Sequence, residues 1–312
     1  PEDLPAWRDF VRQCVERYGG RVAAWEIWNE PGLEYYNQVQ VHGYRGAKTA
    51  DPDAYVVAWA LPKSVGAQSR YCKHPPENDE LTLEGIDYHQ YGPPGANFVP
   101  SLLRAMGDLR GKRVLWNTEC GLSQPASMYR ATGRDKAVDR VKQAAEMAQL
   151  VLMHKAVNAK FIYYTSRFPQ SHGHWGLNGY SWGVIEPTGV PTTGAVARAV
   201  AAHKVDGART VGYVGPTRPG SRRKLTAVTV ERDDTTVIGL FVIGKASAVR
   251  GVNIPREQTL DLPEALRGIP VFDMMGMPLG RTGPSLKLGH APIYLEAKDP
   301  DSEALAEAVR QA

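Results

Sequence analysis

The chain has little cysteine. Cys14, Cys72 and Cys120 are too widely spaced for a zinc site, and three cysteines build no disulfide framework. An odd count leans towards a reducing compartment. Long hydrophobic runs are also missing, so no segment is expected to span a membrane. Pro1 is followed by neither a basic stretch nor an apolar one. No signal peptide therefore stands in this chain, and cytoplasmic and secreted locations both stay open. Charge of one sign is scarce: the net charge is +4 over 312 residues. The one basic cluster, Arg218 to Lys224, reads as a solvated turn, which argues against a nucleic-acid partner. GxGxxG, P-loop and GxSxG patterns are absent. His172 and His174 have a metal-like spacing, but their Gly-rich surroundings hold no carboxylate or Cys companion. Neither a cofactor nor a metal is expected.

What is present is an ordinary globular mixture, 43% hydrophobic and 22% charged, long enough for one large domain or two smaller ones. Through about residue 205, short apolar runs alternate with helical patterns. The runs are Val22 to Trp28, Tyr55 to Leu61, Gly85 to His89, Arg113 to Thr118 and Lys160 to Thr165. Helices are expected at Leu4 to Tyr18, Asn37 to Thr49, Phe98 to Leu109, Asp135 to Val157 and Thr193 to His203. Strand, helix, strand at this spacing predicts an α/β region with a parallel sheet, its strands apolar enough for burial on both faces. From about Asp206 the texture changes to short runs separated by DD, PG and GRTG, namely Leu225 to Val230, Thr236 to Ile243, Ile269 to Phe272 and Ala291 to Leu295. That predicts an antiparallel β-sandwich over 206–299, with a terminal helix over 300–312.

In parallel α/β folds, chemistry gathers at the carboxyl ends of strands. The first run ends in Asn29-Glu30 and the fourth in Asn117-Thr118-Glu119. The third ends in His89-Gln90-Tyr91 and the fifth in Ser166-Arg167. Two Glu, each near Trp and Asn, end two separate strands. Paired carboxylates whose environments separate their proton affinities can act as acid and base, as glycoside hydrolysis requires. Trp and Tyr nearby offer flat faces for sugar rings and polar tips for hydroxyls. Asp87, inside the third run, reads as a hydrogen-bonded core residue, and Cys120 as a buried structural thiol.

WNEP at Trp28 to Pro31 and the later Glu119 in WNTECG resemble clan A glycoside hydrolases, the retaining (β/α)8-barrel enzymes. The wording WEIWNEP is most similar to family 39. The resemblance covers about Leu4 to His203 and implies Glu30 as acid/base, Glu119 as nucleophile and Asn29 as a ligand of the sugar 2-hydroxyl. His89 and Tyr91 match a His-x-Tyr on the sixth barrel strand, where the Tyr holds the nucleophile. Trp182 or Trp175 would floor the subsite of the cleaved sugar. Arg167 would keep Glu119 ionised, or is simply a surface residue. The substrate implied is an oligosaccharide, polysaccharide or glycoside.

One departure stands out. If Glu30 ends the fourth barrel strand, the chain carries strands four to eight only, an incomplete (β/α)8 barrel over 1–205. A fragment of a longer gene would begin so. Five strands do not close a barrel of the usual geometry. Their open edges need cover, for which a homo-oligomer is one solution. Two alternatives to an enzyme therefore stand beside it: a catalytically weakened carbohydrate-binding remnant, and half of a split barrel completed by another chain.

Overall fold

A computed structural model describes residues 2–29, 33–58, 85–91, 95, 98–100, 103, 114–122, 124–125, 140–163, 180–181, 184–185, 189–217, 225–243 and 257–312. For 33–37, 58, 86, 88–91, 124–125, 163 and 180–181 the description is of the backbone alone. Contacts divide the chain into two compact units interleaved in sequence. The first comprises Pro1–Gln90, Leu102–Cys120 and Ala159–Tyr163, and the second the remainder.

The first unit opens with helix α1, Leu4–Tyr18, which starts where the Asp3 carboxylate accepts the Ala6 N–H at 2.9 Å. Pro5 in the first turn costs no hydrogen bond there. Val11 and Val15 form its buried stripe. Helix α2, Leu33–Ala50, lies against it. Gly46 makes that approach close, since a Cβ there would fall 2.3 Å from the Arg8 carbonyl oxygen, and Gly43 admits Ile27, 2.4 Å from where its Cβ would be. The Trp7 indole N–H donates to the Val39 carbonyl at 3.0 Å.

Among the described residues, five strands form the sheet of this unit, in the order β1 (Trp25–Glu26), β2 (Val56–Ala58), β3 (Gly85–Tyr91), β4 (Val114–Gly121) and β6 (Lys160–Tyr163). A small ribbon of the second unit pairs β5, Gln124–Pro125, with β7, Tyr180–Ser181. β1 and β2, β2 and β3, and β4 and β6 pair in parallel. All five apolar runs read from the sequence thus become neighbouring strands in chain order. Val56 and Val57 are fully buried. Gly85 leaves room for Trp116, whose indole would lie 2.8 Å from a Cβ there and is tilted against Tyr55.

In the second unit, helix α3 (Arg140–Ala156) is buried from Gln143 through His154, all round its axis. Its Met147 packs against Gly194 of helix α4 (Thr193–Val205), and its Leu152 against Gly239. Six antiparallel strands follow. Their spatial order is β13 (Pro278–Arg281), β12 (Pro270–Phe272), β15 (Ile293–Lys298), β10 (Thr235–Val242), β9 (Leu225–Arg232) and β8 (Arg209–Val214). β11 (Gln258–Asp261) and β14 (Ser285–Leu288) pair separately. β9 turns into β10 at Asp233, whose φ of 52° is one that Asp tolerates. Ile238, Leu240, Leu295 and Leu288 share one apolar cluster with Leu305 and Val309 of the terminal helix α5, Ser302–Gln311. Strands β8, β11, β13 and β14 were not expected from the sequence.

Buried polar groups tie α3 to this sheet. Gln149 donates to the His290 carbonyl at 2.6 Å. Glu146 lies 3.6 Å from both Lys142 Nζ and His290 Nε2. The Lys155 ammonium donates to the Ala208 carbonyl.

Candidate active site

The end of β4 carries the best-described part of the site. Leu115 and Asn117 are buried, and Glu119 is half-buried. Against β6 the register runs Asn117↔Phe161 and then Cys120↔Tyr163. Three residues of β4 are thus set against two of β6, a bulge at Thr118–Glu119. Bulges bend a strand and re-aim the side chains at the irregularity. Cys120, directly after it, is wholly buried with Sγ 3.6 Å from the Ile162 carbonyl. That fits a structural thiol rather than a nucleophile.

Asp87 of β3 meets this bulge. Its side chain is fully buried, and its Oδ1 accepts the Thr118 N–H at 2.7 Å. Asp87 is the buried, hydrogen-bonded residue that its place inside an apolar run predicts, and it also touches the backbone immediately before Glu119. An acid within an apolar strand, Gly85-Ile86-Asp87, is the signal that pointed to it.

At the other expected strand end, pairing continues one residue past β1, where the Ile27 N–H reaches the Val57 carbonyl at 3.4 Å. Trp28 then takes φ 72°, a left-handed conformation unusual for a bulky residue. Its indole is 41% exposed and meets Trp7 edge-on at 5.1 Å. Trp7 in turn stacks on Phe10 at 5.8 Å. The chain therefore turns sharply just before Asn29, which is exposed. In sheet order β2 and β3 separate this end from β4.

Of the residues expected to form the site, Asn29 and Glu119 are described in full. His89 and Tyr91 lie in strand β3, their side chains outside the described residues. Glu30, Trp175 and Trp182 lie outside the described residues, as do Arg167, His172 and His174. Among the described residues, no group of three or more His, Cys, Asp or Glu is placed to hold a metal ion. No described helix is long and apolar enough to cross a membrane.

No family model and no curated protein matches the sequence. Solved structures do match its fold. A family 39 glycoside hydrolase from the gut symbiont Bacteroides cellulosilyticus WH2 is similar over 92% of this chain, with a TM-score of 0.66 and 17% identity. A glucosidase from Croceicoccus marinus is similar over 94%, with a TM-score of 0.59 and 14% identity. A family 30 endoxylanase from Clostridium papyrosolvens C71 is similar over 95%, with a TM-score of 0.56 and 12% identity. This chain spans 60% of the length of the first, 74% of the second and 72% of the third. The likeness is one of fold, and it falls on the group of enzymes that WNEP and WNTECG resemble.

Proposed function

We propose that the chain is a retaining glycoside hydrolase that cleaves β-glycosidic bonds by double displacement. The observation that carries this reading is the place of Glu119. It stands near the carboxyl end of β4, half-buried on a bulge, in a fold similar to that of a family 39 glycoside hydrolase. Glu119 attacks the anomeric carbon and forms a glycosyl-enzyme. Glu30 protonates the leaving oxygen and then draws a proton from the water that releases the sugar. Asn29 binds the 2-hydroxyl, His89 and Tyr91 hold substrate and nucleophile, and Trp182 or Trp175 floors the sugar subsite. The catalytic region is 1–205, and 206–299 is its packing partner.

The test is turnover of a panel of nitrophenyl β-glycosides by the native chain and by Glu119→Ala, with azide present. Expected are hydrolysis by the native chain, loss of at least a hundredfold in the variant, on the scale of removing one oriented group, and recovery as a glycosyl azide of inverted configuration. Native activity that survives in Glu119→Ala would overturn the assignment.

The parallel sheet holds five strands among the described residues, too few to close a barrel of the usual geometry, which favours a second reading. Here the chain is a weakened carbohydrate binder, or half of a barrel completed by another chain or a second copy. Glycan binding without turnover distinguishes the binder. An oligomeric mass in solution, with activity that rises on association, distinguishes the split barrel.

A further inference from the structure

Resting on the reading of Glu119 as nucleophile, we infer that Asp87 is its positioning residue, holding the β4 bulge through the Thr118 amide. A strand ladder fixes side-chain direction through its register, and a bulge re-aims the side chains where that register shifts. Between Asn117↔Phe161 and Cys120↔Tyr163, the register of β4 against β6 slips by one residue, at Thr118 and Glu119. The next strand on the other side is β3. From there the Asp87 carboxylate takes the Thr118 N–H at 2.7 Å. The backbone is thus pinned one residue before Glu119 by Asp87 and one residue after it by the Cys120↔Tyr163 pairing. Asp87 is 0% exposed, so water does not compete for this bond. The glycine two residues earlier keeps the neighbourhood tight, since Trp116 of β4 packs where a Gly85 Cβ would be. Asp87 touches neither the sugar nor the reacting atoms in this scheme. It sets the direction from which Glu119 approaches them.

The role needs an acceptor oxygen at this position and nothing else. That separates it from a role in packing. Asp87→Asn keeps Oδ1 and the shape; Asp87→Leu keeps the volume and removes both oxygens. A misplacement of about 1 Å at a reacting group costs on the order of a hundredfold. Expected for Asp87→Leu is a fall in kcat of about that size with KM within about threefold, and for Asp87→Asn a kcat within about tenfold of native. Amide hydrogen exchange gives a second readout that needs no turnover. The Thr118 amide should exchange at least about tenfold faster in Asp87→Leu, with Leu115 unchanged, and remain largely protected in Asp87→Asn. Equal activities in Asp87→Leu and the native chain, or unchanged Thr118 exchange, would overturn the inference. Should Asp87→Leu fail to fold, Asp87→Ala takes its place, since it also removes the acceptor: Thr118 should again exchange faster than in the native chain, and no change counts against Asp87. If the native chain hydrolyses no glycoside, the functional reading fails on its own terms. Thr118 exchange then still shows whether Asp87 holds the bulge.

Discussion

His154 gives a pH dependence whose size follows from its surroundings. It sits in the last turn of α3, where the helix dipole favours a cation by about 0.3–1 kcal/mol, up to about 2 in buried geometries. Burial acts the other way. The ring is 0% exposed, its edge or face meets Phe98 at 5.1 Å, and its Nδ1 donates to the Leu150 carbonyl at 2.7 Å. Desolvation outweighs the Leu150 bond and pushes the imidazole pKa down from 6.5 to about 4. A folded-state value below the unfolded one means that the unfolded chain binds the extra proton. The stabilisation is therefore complete above pH 6.5 and is lost as pH falls from 6.5 towards 4. At about 1.4 kcal/mol per pH unit, the loss over that window is about 3 kcal/mol. Urea unfolding of the native chain and of His154→Leu, at several pH values from 7 to 4, isolates this contribution from other titrating groups. The stability difference between the two chains should shift by about 3 kcal/mol in favour of the variant as pH falls. A constant difference across the window would refute a neutral, dry His154.

Four further substitutions probe packing and capping. In unit two, a Cβ on Gly239 would lie 2.7 Å from Leu152, so Gly239→Ala should destabilise by about 1–3 kcal/mol and Leu152→Ala by about 2–5. The double variant should be more stable than the sum by at least about 1 kcal/mol, and strict additivity in a denaturation cycle would count against the contact. In unit one, Gly85→Ala places a methyl 2.8 Å from the Trp116 ring. It should cost about 1–3 kcal/mol and alter the near-ultraviolet circular dichroism of tryptophan. Asp301 caps α5 by accepting the Ala304 N–H at 3.0 Å, so Asp301→Ala should lower stability by about 1 kcal/mol in thermal or urea unfolding.

The strands that the sequence showed were those with apolar runs on both faces, such as YVVAWAL, which contains β2, and LTAVTV, which opens β9. The strands it hid are mostly edges. β8 (RTVGYV) and β13 (PLGR) close the two sides of the six-stranded sheet, and β13 is exposed at every residue. An edge has little to bury, so it leaves no apolar run to read. Strand ends were also read short: β3 runs on to Tyr91 and β4 to Gly121, because polar residues at the end of a strand break the apolar pattern while the ladder continues. Glu119 was legible for that same reason, as a carboxylate closing a greasy run. The Asp87–Thr118 bond was not legible. It depends on which strands are neighbours and on a bulge, neither of which local periodicity encodes.

The same sheet order makes product stereochemistry a ruler for this site. β1 and β4 are three interstrand steps apart, which in a flat sheet is about 14 Å. A retaining pair needs its carboxyl groups about 5–5.5 Å apart, and an inverting pair about 6.5–9.5 Å. If Glu30 and Glu119 act together, the sheet must curl until their side chains meet across its concave side, as in a barrel wall. Nuclear magnetic resonance of the first-formed sugar distinguishes these geometries. Hydrolysis of a β-glycoside by the native chain should release the β anomer first, the α form growing later by mutarotation. Release of the α anomer first would place the carboxyl groups one water apart and remove Glu119 from the role of nucleophile. Turnover of either kind, lost in Glu30→Ala as in Glu119→Ala, would show that the two strand ends converge.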